Sequence, residues 1–120
     1  MITEDYVSFE TAKLLKEKGF DGDFSKAYST NGTLISNFTE DCIIAPTLQM
    51  AMKWLREVHN LHCDIGYDFR LGWNNKITSL KETVIDHDIE MKTYPIFTID
   101  YSSYEEACEA GIRYCLEKLI

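Results

Sequence analysis

The sequence predicts a single α+β domain: a small antiparallel β-sheet (a β-hairpin plus a meander) with about three helices packed on one face. Three observations carry that class. Residues 47–60 hold an apolar stripe at the helical period, residues 61–73 switch to strict alternation, and "YSSYEEACEAGIRYCLEKL" opens on a capping pattern and repeats its apolar residues every three to four positions. A chain of 120 residues fits one domain spanning 1–120. A domain of that length buries roughly two thirds of its unfolded surface, so it needs neither a disulfide nor a metal to fold.

The first helix is expected from about Ser8 to Lys18, capped by Ser8 and ended by Gly19. Phe9, Ala12, Leu14 and Leu15 form its buried stripe, and Lys13, Lys16 and Glu17 face water. "YSTNGTLIS" then predicts a hairpin with Asn31-Gly32 in a type I′ turn, where both residues need positive φ. The second helix starts after Pro46, with Thr47 as cap. Leu48, Ala51, Met52, Leu55 and Val58 share one arc, Trp54 lies at its edge, and Met50 lies beyond it.

From Leu61 the odd positions are Leu61, Cys63, Ile65, Tyr67, Phe69, Leu71 and Trp73, and the even ones are mostly polar. That predicts two strands around a bend near Gly72, with all seven odd residues on a core face and a turn at Asn74-Asn75-Lys76. Ile85, Ile89 and Met91 alternate with Asp86, Asp88, Glu90 and Lys92, which predicts a further strand. "YPIFTID" predicts an edge strand, because Pro95 cannot donate to a ladder; its open edge over Tyr94 to Ile99 is a place where a dimer could form. In the last helix Ser102 is the expected cap and Glu105 the residue that bonds back. Tyr104, Cys108, Gly111, Ile112, Cys115 and Leu119 form its buried stripe, with acids early and Arg113 and Lys118 late, as the helix dipole favours.

The formal net charge is −8, from 20 acids against 12 bases. Gripping phosphates needs clustered Lys and Arg, so direct nucleic-acid binding is not expected. Acidity suits a basic partner or mimicry of nucleic acid, and more commonly serves solubility. "MITEDYVSFE" has neither a basic n-region nor an apolar h-region, and no apolar run approaches the ~18 residues of a membrane span. A cytoplasmic setting with four reduced cysteines, Cys42, Cys63, Cys108 and Cys115, is therefore expected.

No motif for zinc, phosphate, dinucleotide or an activated serine is present, and no cofactor or metal is expected. Cys108 and Cys115 stand seven apart on one helix, too far for a disulfide, and read as core. The acids Asp86, Asp88 and Glu90 around His87 read as a solvated strand face. In "HNLHC" (59–63), His59 falls on the helical arc, His62 on the polar strand face and Cys63 on the apolar one, so the three should diverge rather than ligate one ion. Trp54 with Met50 is the candidate partner patch, since aromatics at a surface can anchor a partner.

Three stretches, "VSFETAKLLKEKGF", "IAPTLQMAMKWLREVHN" and "YSSYEEACEAGIRYCLEKLI", resemble a family of small proteins carried in genomes of gut Bacteroidales and in their phages and mobile elements. The resemblance covers the three helices, somewhat under half the chain, and does not extend over Asn74 to Tyr94. It implies a bacterial setting and a link to mobile DNA, and brings with it no activity and no site residues. The function expected is a small non-enzymatic accessory protein that binds another protein of the host or phage. The alternatives are an acidic nucleic-acid mimic that regulates a DNA-processing enzyme, and a small enzyme with Cys42 or Cys63 beside a histidine.

Overall fold

A computed structural model describes residues 2–37, 39, 41–80, 83–85, 88–90, 93–95 and 101–120, the three short segments before residue 101 by their backbone. The chain is α+β as expected, and the strands among the described residues fall into three antiparallel sheets. Helix α1 spans Phe9–Glu17. Ser8 caps it, its Oγ accepting from Thr11 N, and Thr11, Ala12 and Leu15 are its buried face. Strands β1 (Lys26–Tyr28), β2 (Leu34–Ile35) and β3 (Ile43–Ala45) form a sheet in the order β2-β1-β3.

The hairpin joining β1 to β2 forms, but not through a type I′ turn. Gly32 N donates to Ser29 O at 2.9 Å, Gly32 has φ +86°, and Asn31 is not at positive φ. This is a type I turn followed by a glycine bulge, which needs one left-handed residue instead of two. The Asn31 side chain takes part in the loop, its Oδ1 accepting from Thr33 N at 3.3 Å.

Helix α2 spans Leu48–His59, with Thr47 as N-cap and Asn60 left-handed (φ 56°) at its C-cap. Strands β4 (Leu61–Asp68) and β5 (Gly72–Ser79) follow as an antiparallel pair, with Asp68 opposite Gly72 and Leu61 opposite Ser79. The expected turn at Asn74-Asn75-Lys76 is corrected: these residues lie inside β5, opposite Gly66, Ile65 and Asp64. The alternation carries on through them, because Asn75 is buried against the last helix and its Nδ2 donates to Ala107 O at 2.6 Å. The turn sits earlier. Leu71 N donates to Asp68 O, and Gly72, the residue after this turn and the partner of Asp68, has φ +95°.

Strands β6 (Thr83–Ile85) and β7 (Asp88–Glu90) form a separate two-stranded sheet, so the expected strand is a pair. Strand β8 (Thr93–Pro95) adds to β5 as the edge of a β4-β5-β8 sheet, with Pro95 opposite Lys76. The remainder of the predicted edge strand, 96–100, lies outside the described residues.

Helix α3 spans Tyr104–Tyr114 and continues into a π-helical turn over Cys115–Leu119. Its cap is Ser103, one residue later than predicted; Ser103 Oγ accepts from Glu106 N. Glu106 in turn accepts from Ser102 N at 3.1 Å, so the reciprocal carboxylate is also displaced by one. "SSYEE" offers the pattern in two registers, and burying Ala107, Cys108, Gly111 and Ile112 selects the second.

One core joins the layers. Leu15 of α1, Leu55 of α2, Ile77 of β5 and Ile112 of α3 are fully buried within it, each contributing roughly 1.5–3 kcal/mol by leaving water. Leu116, in the π-helical turn, belongs to the same cluster. The N-terminal segment is tied on by backbone bonds, Val7 N to Pro46 O and Leu48 N to Asp5 O. Among the described residues, no helix is long and apolar enough to cross a membrane.

Candidate functional site

Cys63, Cys108 and Cys115 are all buried in the core. Hydrogen bonding to Cys115 and burial both push the Cys63 thiol well above its ordinary range. Burial, chiefly, pushes Cys108 up to about 11. A nucleophilic cysteine needs the opposite, a thiolate stabilised by a cation or a helix N-terminus. Cys42 is half-buried in a loop, in contact with Thr39 N and Oγ1.

The reactive residues of "HNLHC" sit at the end of α2 and along the start of β4. His59 ends α2 with its ring 4.7 Å from the Trp54 ring in an edge-on arrangement, and its buried Nε2 has no hydrogen-bond partner among the described residues. His62 is half-buried on the outer face of β4, and Cys63 points into the core. Among the described residues, no three or more of His, Cys, Asp and Glu are arranged to hold a metal ion. Asp86 and His87, with the side chains of Asp88 and Glu90, lie outside the described residues.

The two residues of the expected patch part company. Trp54 is 5% exposed: its ring packs edge-on to Phe20 at 5.4 Å, and its Nε1 donates to Asp21 Oδ1 at 3.0 Å. It is therefore part of the core and not an exposed anchor. Met50 is half-buried and stands between two adjoining concavities. One, of about 250 Å³, runs between Met50 and Phe24; the other, of about 260 Å³, is bounded by Met50, Lys53 and Val58 with Trp54 in its lining. Val58 was expected in the buried stripe but is 54% exposed. Phe20 and Asp21 cover α2 at the level of Trp54, and Val58 lies one turn further on, beside the cleft. Asp21, Asp23 and Glu57 rim this apolar strip, with Lys53 the one base among its lining residues.

A third concavity, of about 420 Å³, is acidic. Glu4, Asp5, Glu105, Glu106 and Glu109 line it beside Tyr28. Two of these carboxylates already serve the fold. Glu109 Oε1 accepts from Ser8 N at 3.1 Å and from Ser8 Oγ and Thr11 Oγ1 at 2.5 Å each, clamping the α1 cap to α3. Glu106 accepts from Ser102, which holds its carboxyl below the usual range. Tyr28 donates to Val7 O at 2.6 Å, and burial together with the Glu109 charge raises its phenol.

The apolar alternation of β4 and β5 also leaves the core. Leu61 and Cys63 are buried, but Tyr67 is 62%, Phe69 81% and Leu71 50% exposed, and Trp73 is half-buried. The expectation that these belong to the core is thereby corrected. Phe69 and Leu71 lie in the turn between β4 and β5, beyond the last paired residues Asp68 and Gly72, and Tyr67 lies one residue before that last pair. The tip remains ordered by stacking: Tyr67 on Trp73 at 5.0 Å, and Trp73 on Tyr104 at 5.6 Å. "DFRLG" held the signal for this, since Asp at the first turn position and a glycine just after the turn place Phe69 and Leu71 in a loop.

The chain matches no protein-family model, no curated protein and no solved structure.

Proposed function

We propose that this chain is a small non-enzymatic accessory protein, of bacterial or phage setting, that acts by binding another protein through the Met50 surface. The observation that carries the reading is the pairing of two concavities around one flexible apolar side chain. Met50 separates them, Phe24 and Val58 flank them, and carboxylates rim them. Methionine adapts to irregular partner surfaces, and Trp54 gives the cleft a rigid lining. The partner that fits presents an apolar anchor next to basic side chains.

Capture from a bacterial lysate with the parent chain and with Met50→Asp tests this. A protein retained by the parent and by a Lys13→Asp control, but lost with Met50→Asp, is the expected result. Identical recovery with Met50→Asp, or nothing above background with the parent, counts against the reading.

The acidic cleft favours a second reading, a nucleic-acid mimic that regulates a DNA-processing enzyme. Glu4, Asp5 and Glu105 are the carboxylates there with no acceptor role described in the fold. Salt-sensitive displacement of a basic enzyme from DNA, abolished by Glu105→Lys, would favour it over the first. An enzymatic Cys/His site draws no support from the described thiols: Cys63, Cys108 and Cys115 are buried, the first two with their thiols pushed up, and Cys42 is in contact with Thr39.

A further inference from the structure

The β4-β5-β8 sheet ends on β4, eight residues long, with one hydrogen-bonded neighbour among the described residues. In an antiparallel sheet, alternate residues turn their N–H and C=O towards one neighbour and the rest towards the other. Leu80 N donates to Asn60 O at 2.6 Å, a pair that continues the β4-β5 register and fixes the phase. Even-numbered residues of β4 bond to β5. The odd-numbered residues Leu61, Cys63, Ile65 and Tyr67 therefore send their N–H and C=O to the open side. The same phase holds across β5, where the odd-numbered Trp73 exchanges two backbone bonds with Tyr101. Long open edges are usually guarded by lysine, proline or a bulge, and "LHCDIGYD" contains neither lysine nor proline.

We infer that β4 pairs antiparallel with β4 of a second copy across a two-fold axis at Ile65, joining two three-stranded sheets into one of six strands. Charge and overlap select this register. Centred on Ile65, His62 faces Asp68 of the second copy, twice by symmetry, and Asp64 faces Gly66. Centred on Asp64, two carboxylates meet on the axis. Centred on Gly66, Asp64 faces Asp68. Centred on Cys63, the overlap shortens. The Ile65 register also accounts for the exposed Tyr67. Opposed residues point to the same side of a sheet. Tyr67 of each copy then lies beside Cys63 of the other, so its ring is set against the other copy's core face. The Met50 surface is on α2 and takes no part, so this association stands independently of the function proposed above.

Sedimentation equilibrium of the full chain tests it. The parent is expected near twice its 13.9 kDa mass. Ile65→Pro should sediment as a monomer with an unchanged circular dichroism spectrum, since the Ile65 N–H makes no bond to β5 and proline is tolerated on an edge. His62→Glu should weaken the dimer at least about tenfold, and His62→Lys should preserve it. Ile65→Cys should give a disulfide-linked dimer under diamide, because residues of a hydrogen-bonded pair lie about 5.5 Å apart at Cα. A parent that is monomeric at about 100 μM overturns the inference, given that stable homodimers associate well below that. So does a dimer unaffected by Ile65→Pro. If that variant fails to fold, an undiminished dimer in His62→Glu overturns it instead.

Discussion

Gly111 in the middle of α3 should be an exception to the rule that alanine improves a helix. Exchanging glycine for alanine in a helix interior ordinarily stabilises by about 1 kcal/mol. Here a Cβ on residue 111 would lie 1.8 Å from Asn75 Nδ2 and 2.7 Å from its Cγ. Asn75 cannot simply swing away, because it is buried in β5 and its Nδ2 holds Ala107 O at 2.6 Å. Overpacking a closed core costs about 1–3 kcal/mol. Stripping a buried amide of its partner costs about 1–3 kcal/mol more. Set against the gain in propensity, Gly111→Ala should destabilise by about 3 kcal/mol, a value reached by combining these ranges. Urea unfolding of the parent, Gly111→Ala, Asn75→Ala and the double variant measures it as a cycle. With Asn75→Ala in place the clash is gone, and Gly111→Ala should become stabilising by roughly 0.5–1 kcal/mol. A Gly111→Ala variant more stable than the parent would refute the reasoning, as would an equal cost in both backgrounds.

Three further outcomes follow from the same geometry. Ser103→Ala should cost about 1 kcal/mol as the loss of the α3 cap, and Ser102→Ala less, as read by thermal melts; equal effects would contradict the observed register. In a native thiol titration with Ellman's reagent, Cys42 should react alone, with Cys63, Cys108 and Cys115 appearing only on unfolding; early release of more than one equivalent would contradict their burial. Stability should fall as pH rises from about 9 to about 11. Cys108 is raised from 9.0 to about 11, so in that window the native state keeps a proton that the unfolded state has lost. The loss attributable to Cys108 is about 1–2 kcal/mol after allowance for screening, and Cys108→Ala should flatten the slope in alkaline denaturation curves.

The helices and the class were legible because burial of one face imposes a period that few other constraints can mimic. Phe9–Glu17, Leu48–His59 and Tyr104–Tyr114 all lie where their apolar spacing puts them, the first two behind the expected caps Ser8 and Thr47 and the third one residue later than its expected cap. What was not legible depends on contacts between distant segments. Asn74-Asn75-Lys76 has turn composition, yet it is strand, because Asn75 meets a carbonyl of α3 that is 32 residues away. Trp54 stands at the edge of its helical arc, and its burial is decided by Phe20 and Asp21, which no local pattern ties to α2. The Glu109 clamp on Ser8 and Thr11 spans about a hundred residues of chain and leaves no trace in either neighbourhood. The cap register of α3 was ambiguous for the opposite reason, since two adjacent serines and two adjacent glutamates offer equal local solutions.

The β4-β5 hairpin shows why a pattern that reads as burial does not by itself supply a cover. Alternation reports that one face of a strand is apolar, and the ordinary inference is that the domain covers it. Helix α2 runs straight into β4 through a left-handed Asn60, so it sits at the Leu61 end, while α3 opens at the far end with Tyr104 on Trp73. Tyr67 lies near the far end of β4, Phe69 and Leu71 stand in the turn beyond it, and all three are exposed. An apolar residue at a strand end or in a turn keeps the alternation without being under a helix. For Tyr67, the second β4 inferred above would set Cys63 of the other copy alongside, on the same side of the joined sheet.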